Sequence, residues 1–489
     1  MTKPEDYTEA LQAKVQKAGG IYYTPEETCR AIIDRYVKLT TDSKVLEPGC
    51  GCGHFARLLF KNFQDLGVDS KTILADNLKL IENDKGATQV LASALDVSVN
   101  SITSASFLQN LQMEKNLFDY IIGNPPYAAK LSDEDKKYCE RNFTDINENG
   151  KRMDSSGYFL RKSIDLLKPG GRLIFVLPAT LLRVASYKGL REFILKTSYV
   201  REVIDLRRIF DDVGYETVAL VLDKKGPGVN PQPVQTLTDI KSPSFEEFDT
   251  NICRYEFYES RPIFSMFLNP IDENILTKCE TGVCLNDFAT MPRGFSISSN
   301  DESLHENSVK CLNIPLLFGR DMGKYRLHQP RRFIPWPDSS LSKIHQRHQV
   351  PKILVQNLAY RVVATDDADG HLISDTINTL FVDEERFPRH YVLGIINSNL
   401  MTYYFQMVLT NRAKLNIHMD HPYLGKLPIK ETTSDSQNKV VGWVKKLLKE
   451  PDNESVREEL EAEVFRIYGL DEDEQERVLS WPIFGRRNR

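Results

Sequence analysis

Between Val45 and Leu222, short apolar runs alternate with stretches whose apolar residues recur at helical spacing. Lys44 to Glu47, Phe118 to Ile122, Arg172 to Leu177, Glu202 to Ile204 and Thr217 to Leu222 read as buried strands. Tyr158 to Leu167 carries a helical period and runs into Lys168-Pro169-Gly170-Gly171, which ends a helix and feeds the next strand. This rhythm predicts an α/β fold with a doubly wound, Rossmann-like parallel sheet. At Gly226-Pro227-Gly228-Val229-Asn230-Pro231-Gln232-Pro233 the rhythm breaks, which places a boundary there, with one domain over 1–228 and a second, α+β domain over 229–489. The second half lacks a strong period until Ser436 to Trp481. There Val440, Trp443, Val444, Leu447 and Leu448, then Leu460, Val464 and Ile467, predict two amphipathic helices forming a helical C-terminal segment, about 436–481.

Composition acts mainly by exclusion. With 41% hydrophobic and 27% charged residues over 489 positions, the chain can bury more than one core. No apolar run approaches the ~18 residues of a membrane span and no leader-like start is visible, so a cytoplasmic chain without a membrane partner is expected. The eight cysteines are sparse and irregularly spaced, which predicts reduced thiols and no C-x2-C zinc site. His345 with His348, and His418 with His421, are pairs without a third and fourth ligand at zinc spacing, and no metal is expected. A net charge of -5 requires any polyanion to be met by a local basic face. Arg320, Lys324, Arg326, Arg331 and Arg332 form such a cluster with few acids, suited to phosphate contacts.

Two strand ends carry chemistry. Val45-Leu46-Glu47-Pro48-Gly49-Cys50-Gly51-Cys52-Gly53 is a strand, an acid and a glycine-rich turn running into a helix from Phe55. Such turns let backbone approach a ligand at the carboxyl edge of an open α/β sheet. The spacing differs from the G-x-G-x-x-G of dinucleotide enzymes, and no Walker lysine follows. The second is Phe118 to Tyr127, where a strand delivers Asn124, Pro125, Pro126 and Tyr127. The Asn124 side-chain oxygen and the Pro125 carbonyl can each accept an N–H of an exocyclic amine, while Tyr127 offers an aromatic face to the base. Each segment alone also fits an ordinary turn; together they should end at one edge of one sheet.

Glu47 to Gly53 resembles the S-adenosylmethionine loop, and Asn124 to Tyr127 the catalytic NPPY tetrapeptide, of amino-methyltransferases. Gly20-Ile21-Tyr22-Tyr23-Thr24-Pro25 is similar to a further cofactor element of the family, which precedes the loop in the gamma arrangement of DNA adenine-N6 methyltransferases. In that order of motifs the chain resembles the TaqI-like and Eco57I-like branch. The resemblance implies a methyltransferase domain followed by a DNA target-recognition domain, S-adenosylmethionine as cofactor and base flipping. It also implies double-stranded DNA as partner, a monomer, and a separate restriction endonuclease as the associated activity. Segments Leu317 to Tyr325, Pro351 to Gln356 and Leu393 to Ser398 look like framework of that second domain.

Residue by residue, the resemblance assigns Tyr23, Thr24 and Pro25 to the methionine part of the cofactor, with Glu47, Gly49, Cys50, Gly51 and Gly53 in the loop. Phe159 would pack on its adenine, and Phe210, with Tyr215 in reserve, on the flipped base. The ribose acid is expected at Asp76, or alternatively Asp69, and Ser93 stands where an acid usually reads the adenine amine, with Asp96 three residues late. Arg320, Lys324 and Arg326 are the expected DNA contacts. Competing readings are cytosine-N4 methylation, an RNA or protein-glutamine methyltransferase, and a non-catalytic DNA-recognition subunit.

Overall fold

The computed structural model describes residues 24–109, 113–127, 130–146, 153–206, 216–261, 263–305, 313–335, 345–357, 360–410, 419 and 421–482. The chain divides into two compact units, Met1–Asn269 and Pro270–Arg489.

The first unit is built on one nine-stranded sheet. Its strands are β1 (Val45–Pro48), β2 (Leu78–Glu82), β3 (Thr103–Ser104), β4 (Phe118–Gly123), β5 (Leu167–Pro178), β6 (Ser198–Asp205), β7 (Thr217–Lys224), β8 (Val234–Thr238) and β9 (Asp249–Cys253). They lie in the order 3-2-1-4-5-7-6-8-9. From β3 to β5 neighbours run parallel, whereas β7 is antiparallel to both β5 and β6. Parallel neighbours need crossovers. Helices α1 (Glu26–Tyr36), α2 (His54–Asp65), α3 (Lys85–Leu95), α4 (Asp133–Asn142), α5 (Ser155–Leu166) and α6 (Lys188–Thr197) accompany the strands. All four residues of β1 and the first seven of β7 are buried, which is why both strands read as mostly apolar. One face packs Ile32 and Ile33 of α1 and Phe55, Leu59 and Phe63 of α2 against Val45, Ile122, Ile174 and Val221.

The boundary expected after residue 228 lies later. The Gly226 to Pro233 stretch is a loop within the sheet, because β8 then pairs parallel to β6 and β9 pairs antiparallel to β8. Proline and glycine there stop one strand without ending the domain.

The second unit is α+β. A four-stranded sheet joins β10 (Ala289–Thr290), β13 (Lys352–Gln356), β14 (Ala364–Asp367) and β16 (Ile377–Val382) in the order 10-16-13-14, and a three-stranded sheet joins β11 (Asn313–Leu317), β12 (Arg332–Pro335) and β15 (Leu372–Ile373) in the order 12-11-15. Helix α7 (Arg389–Ile396) follows, and the chain ends on α8 (Ser434–Lys449), α9 (Glu454–Tyr468) and α10 (Glu472–Leu479), three helices where the period predicted two. No helix among the described residues is long and apolar enough to cross a membrane.

Two of the three expected framework segments, those holding Lys324 and Asn397, meet at Asn397. Its side chain exchanges two hydrogen bonds of 2.9 Å with the backbone of Ala364, and its carbonyl accepts from the Lys324 ammonium at 2.6 Å. A second polar knot has a fully buried ion pair at its centre. The Asp367 carboxylate accepts from Lys352 Nζ at 2.6 Å, His371 Nδ1 at 2.7 Å, and the Gly370 and His371 N–H groups at 3.1 and 2.8 Å. Lys352 and Asp367 side chains are 0% exposed, and Lys352 also donates to the His348 carbonyl at 2.7 Å. Removing one partner of such a pair strands the other charge in low dielectric. Lys352→Ala is expected to cost about 3–5 kcal/mol. A shift of the denaturant midpoint for the second unit's unfolding measures it, and a loss under 1 kcal/mol contradicts the buried pairing.

Candidate active site

The carboxyl ends of β3, β2, β1 and β4 open into a cavity of about 340 Å³. At β1 the strand runs into three glycines with left-handed backbone, Gly49 (φ 70°), Gly51 (φ 53°) and Gly53 (φ 86°). At Gly53 a Cβ would also come within 2.2 Å of Leu91 Cδ1, so a side chain there meets both backbone strain and α3. The loop is tied to β2. Gly49 and Cys50 N–H groups share the Ile81 carbonyl at 2.8 and 3.1 Å, and Gly51 N–H donates to the Glu82 carboxylate at 2.8 Å.

Glu47, Glu82, Asp84 and Asp135 all line the cavity. Glu47 is 3% exposed, and its Oε2 has no hydrogen-bond partner among the described residues. Burial, then the nearby Glu82 charge, pushes the Glu47 carboxyl well above the usual range. Burial also raises Glu82, offset in part by the Asp84, Gly51 and Asn83 N–H groups. An acid held up in this way accepts a cationic ligand readily, because the ligand's charge replaces the water lost on burial.

At β4, Asn124 and Pro126 form part of the wall. Asn124 Nδ2 donates to the Thr24 hydroxyl at 3.2 Å, which orients the amide with Nδ2 toward Thr24 and Oδ1 on the other side. The Ser155 hydroxyl, at the start of α5, donates to the Pro126 carbonyl and ties the tetrapeptide to that helix. Phe159 of α5 and Phe107, after β3, both line the cavity with ring centroids 5.0 Å apart.

Six of the residues expected at the cofactor, Thr24, Glu47, Gly49, Cys50, Gly51 and Phe159, therefore share one cavity with Asn124 and Pro126 of the expected catalytic tetrapeptide. Pro25 caps the start of α1 and Gly53 the start of α2, next to the wall without forming it. Tyr127 departs from expectation. It is 2% exposed and is not part of the wall; burial and the neighbouring Asp154 charge raise its phenol pKa well above the ordinary value. Stacking on a base would require that ring to be uncovered. Pro125 is likewise buried and outside the wall. Tyr23, Phe210 and Tyr215 lie outside the described residues.

Three expectations are corrected. Asp76 sits in a helical turn, Ile73–Asn77, and is exposed, and Asp69 is exposed with its carboxylate accepting from the Lys71 and Thr72 N–H groups at 3.0 and 3.2 Å. The acid delivered by the strand beside β1 is Glu82, because the strand is Leu78–Glu82 and not Thr72 to Asp76. Ser93 is an exposed residue of α3, away from the cavity. The chain reaches the cavity's far wall instead at Ala105, Ser106 and Phe107. A signal for Glu82 was present in Asn83-Asp84, since Asp84 caps α3 by accepting from Gly86 N–H at 2.7 Å, which ends the preceding strand at the acid.

The basic cluster is divided. Lys324 spends its ammonium on Asn397 and lies beside Glu461; burial lowers the lysine's pKa and raises that of the glutamate. Arg326 pairs with Asp452. Arg320 and Arg331 are exposed. Lys324 is thus an internal tie of the second unit, and a phosphate contact there would cost that bond. Among the described residues, no group of three or more His, Cys, Asp or Glu side chains could hold a metal ion.

Residues 33–210 match the Eco57I restriction-modification methylase family and residues 314–429 the TaqI-like C-terminal specificity domain. Among curated proteins, the Type II methyltransferase M.VspI of a Vibrio species is 25% identical over 226 residues, 45% of this chain and 52% of its own length. M.AccI of Acinetobacter calcoaceticus is 24% identical over 60% of this chain and 55% of its own, and M.TthHB8I of Thermus thermophilus 30% identical over 44% and 48%. The chain thus spans about half the length of these relatives. Two solved structures share the fold. The Type IIL restriction-modification enzyme MmeI in complex with DNA has a TM-score of 0.61 at 11% identity, covering 97% of this chain and 77% of that one. The ATP-dependent Type ISP restriction-modification enzyme LlaBIII bound to DNA has 0.57 at 12%, covering 92% and 42%. A methylase segment carrying the glycine loop ahead of the tetrapeptide, followed by a specificity segment, makes this chain similar over residues 33–210 and 314–429 to restriction-modification methyltransferases of the Eco57I and TaqI-like kind.

Proposed function

We propose that this chain is a DNA methyltransferase that transfers a methyl group from S-adenosylmethionine to the N6 amine of an adenine flipped out of double-stranded DNA. The observation that carries the reading is the single cavity joining the Glu47 to Gly53 loop to Asn124. The donor set fits the cofactor. The orphaned, buried Glu47 Oε2 suits an ammonium, Glu82 suits a ribose diol, and Phe107 with Phe159 suits an aromatic base. When bound, S-adenosylmethionine supplies an electrophilic methyl on a sulfonium.

The chain's own residues position the acceptor. An adenine amine is a poor nucleophile because its lone pair is delocalised into the ring. The Asn124 oxygen on the cavity wall draws one N–H group and stabilises the positive charge that develops at nitrogen, and the Pro125 carbonyl takes the second once the tetrapeptide is uncovered for the base. Holding the amine in line with the methyl is the remaining task, and it requires no covalent intermediate with the protein. The target atom is inaccessible within a duplex, so the base must leave the stack. Asn at the head of the tetrapeptide supports adenine; the same acceptors also fit the N4 amine of cytosine. Exposed Arg320 and Arg331 are the surviving candidates of the cluster for phosphate contact. A restriction endonuclease acting on the same site is the expected counterpart activity.

Incubation with labelled S-adenosylmethionine and mixed-sequence DNA, followed by nucleoside analysis, tests the reading. N6-methyladenine is expected, N4-methylcytosine would move the assignment to the sister reaction, and no labelled nucleoside would overturn it. Asn124→Ala should lower transfer by ~10²-fold or more while leaving cofactor affinity intact; near-normal turnover would contradict its role. Glu82→Ala should weaken binding of S-adenosylhomocysteine, read by calorimetry, by roughly tenfold to a hundredfold. Arg320→Ala should reduce the slope of log affinity against log salt by about one unit across DNA sequences, and a changed target site would instead make it a base reader.

A further inference from the structure

The wall of the cavity at β3 carries a polar cluster that methyl transfer itself does not use. Asp135, in the first turn of α4, is 8% exposed, and it lines the cavity together with Ser106 and Ser132. Its Oδ1 accepts from the Ser106 hydroxyl at 2.7 Å and from Gln109 Nε2 at 2.8 Å, and its Oδ2 from the Ser132 hydroxyl at 2.9 Å. Behind this loop, Lys162 of α5 donates its ammonium to the Phe107 and Leu108 carbonyls at 2.7 and 2.8 Å and lies 5.0 Å from the Phe107 ring centre. Ser106 is therefore held on both sides: by its bond to a carboxylate from another element, and by a backbone pinned one and two residues further on.

A serine hydroxyl is ordinarily both donor and acceptor. Once its proton is committed to a carboxylate, which accepts only, the oxygen can offer the cavity lone pairs alone. A wall of that kind takes an amine N–H and turns away a carbonyl oxygen. The order of the strand ends sets what meets it. With Asn124 at β4, the glycine loop at β1 and Glu82 at β2, the ligand part that reaches β3 is the one farthest from the transferred methyl. Resting on the S-adenosylmethionine reading above, we propose that Asp135 is a positioning residue. It makes Ser106 an acceptor for the amine of the cofactor's adenine, and so selects a 6-amino over a 6-oxo purine. Because Asp135 follows the catalytic tetrapeptide on the same stretch of chain, recognition of the cofactor's base and placement of Asn124 share one segment.

Asp135 also helps start α4, since its own N–H donates to the Ser132 hydroxyl at 3.0 Å, so the readout has to be one that loosened packing does not move. Calorimetric binding of S-adenosylhomocysteine and of its hypoxanthine counterpart, S-inosylhomocysteine, to the full chain gives that readout as a ratio. The wild-type chain should prefer the adenine ligand by roughly tenfold or more. In Asp135→Ala the Ser106 hydroxyl loses its acceptor and can turn its proton into the cavity, and the preference should fall to about threefold or less. Ser106→Ala, a smaller change to the loop, should lose it equally, and it decides the question if the Asp135 variant does not fold. A preference that survives in either folded variant, or is missing from the wild type, overturns the assignment. Failure of the wild type to bind either ligand would instead overturn the cofactor reading on which it rests.

Discussion

Three glycines in left-handed backbone turn the chain from β1 into α2, and the loop they form is held by its neighbour β2 through the Ile81 carbonyl and the Glu82 carboxylate. That constraint sets the rest of the site. With no Cβ at these three positions, backbone approaches the cavity closely, and Phe159 Cε1 and Pro126 Cδ lie 3.6 Å from where a Cβ on Gly49 would stand. Glu82 serves twice, as the acceptor that closes the loop and as an acid on the cavity wall. A change at Glu82 therefore disturbs both loop and ligand, and its energetic cost cannot be divided between them from single substitutions.

Electrostatics in the cavity run against solvation. Glu47 and Glu82 are buried near each other, and burial followed by their mutual repulsion lifts Glu47 above the usual carboxylate range. A folded-state pKa above the unfolded one means that Glu47 binds a proton more tightly when folded, so its contribution to stability is present at low pH and falls as pH rises through the folded value. Ligand cations reverse that balance. An acid that is costly to ionise in the empty cavity becomes the natural partner of positive charge, which links cofactor affinity to pH through this one side chain.

The second unit uses much of its charge for internal ties. Lys352 and Asp367 form a fully buried pair, Lys324 serves Asn397 beside Glu461, and Arg389 pairs with Asp366 at 2.7 Å and with Glu384. A list of lysines and arginines in sequence therefore overstates the cations a polyanion could meet. What distinguishes Arg320 from Lys324, four residues apart, is only whether a carbonyl and a carboxylate from distant segments arrive beside it.

Strands β1 and β4 to β7, the glycine loop and the tetrapeptide at two strand ends are legible in the sequence alone, because buried strands are mostly apolar and left-handed turns need glycine. So are the segments around Lys324 and Asn397, which a 2.6 Å hydrogen bond joins. Tertiary structure decided the remainder. The acid at the end of the strand beside β1 is Glu82 and not Asp76, because residues 72–77 coil as helical turns although their apolar content suits a strand. The β3 end escaped notice because that strand is two residues long and leaves no period to read. The Gly226 to Pro233 stretch looked like a domain boundary because local composition stops a strand equally well inside a sheet or between domains, and only the pairing of β8 with β6 tells the two apart. The same holds for Asp135 and Lys324: which polar atom faces a cavity and which is spent on a carbonyl depends on contacts between residues far apart in the chain, where neither spacing nor composition reaches.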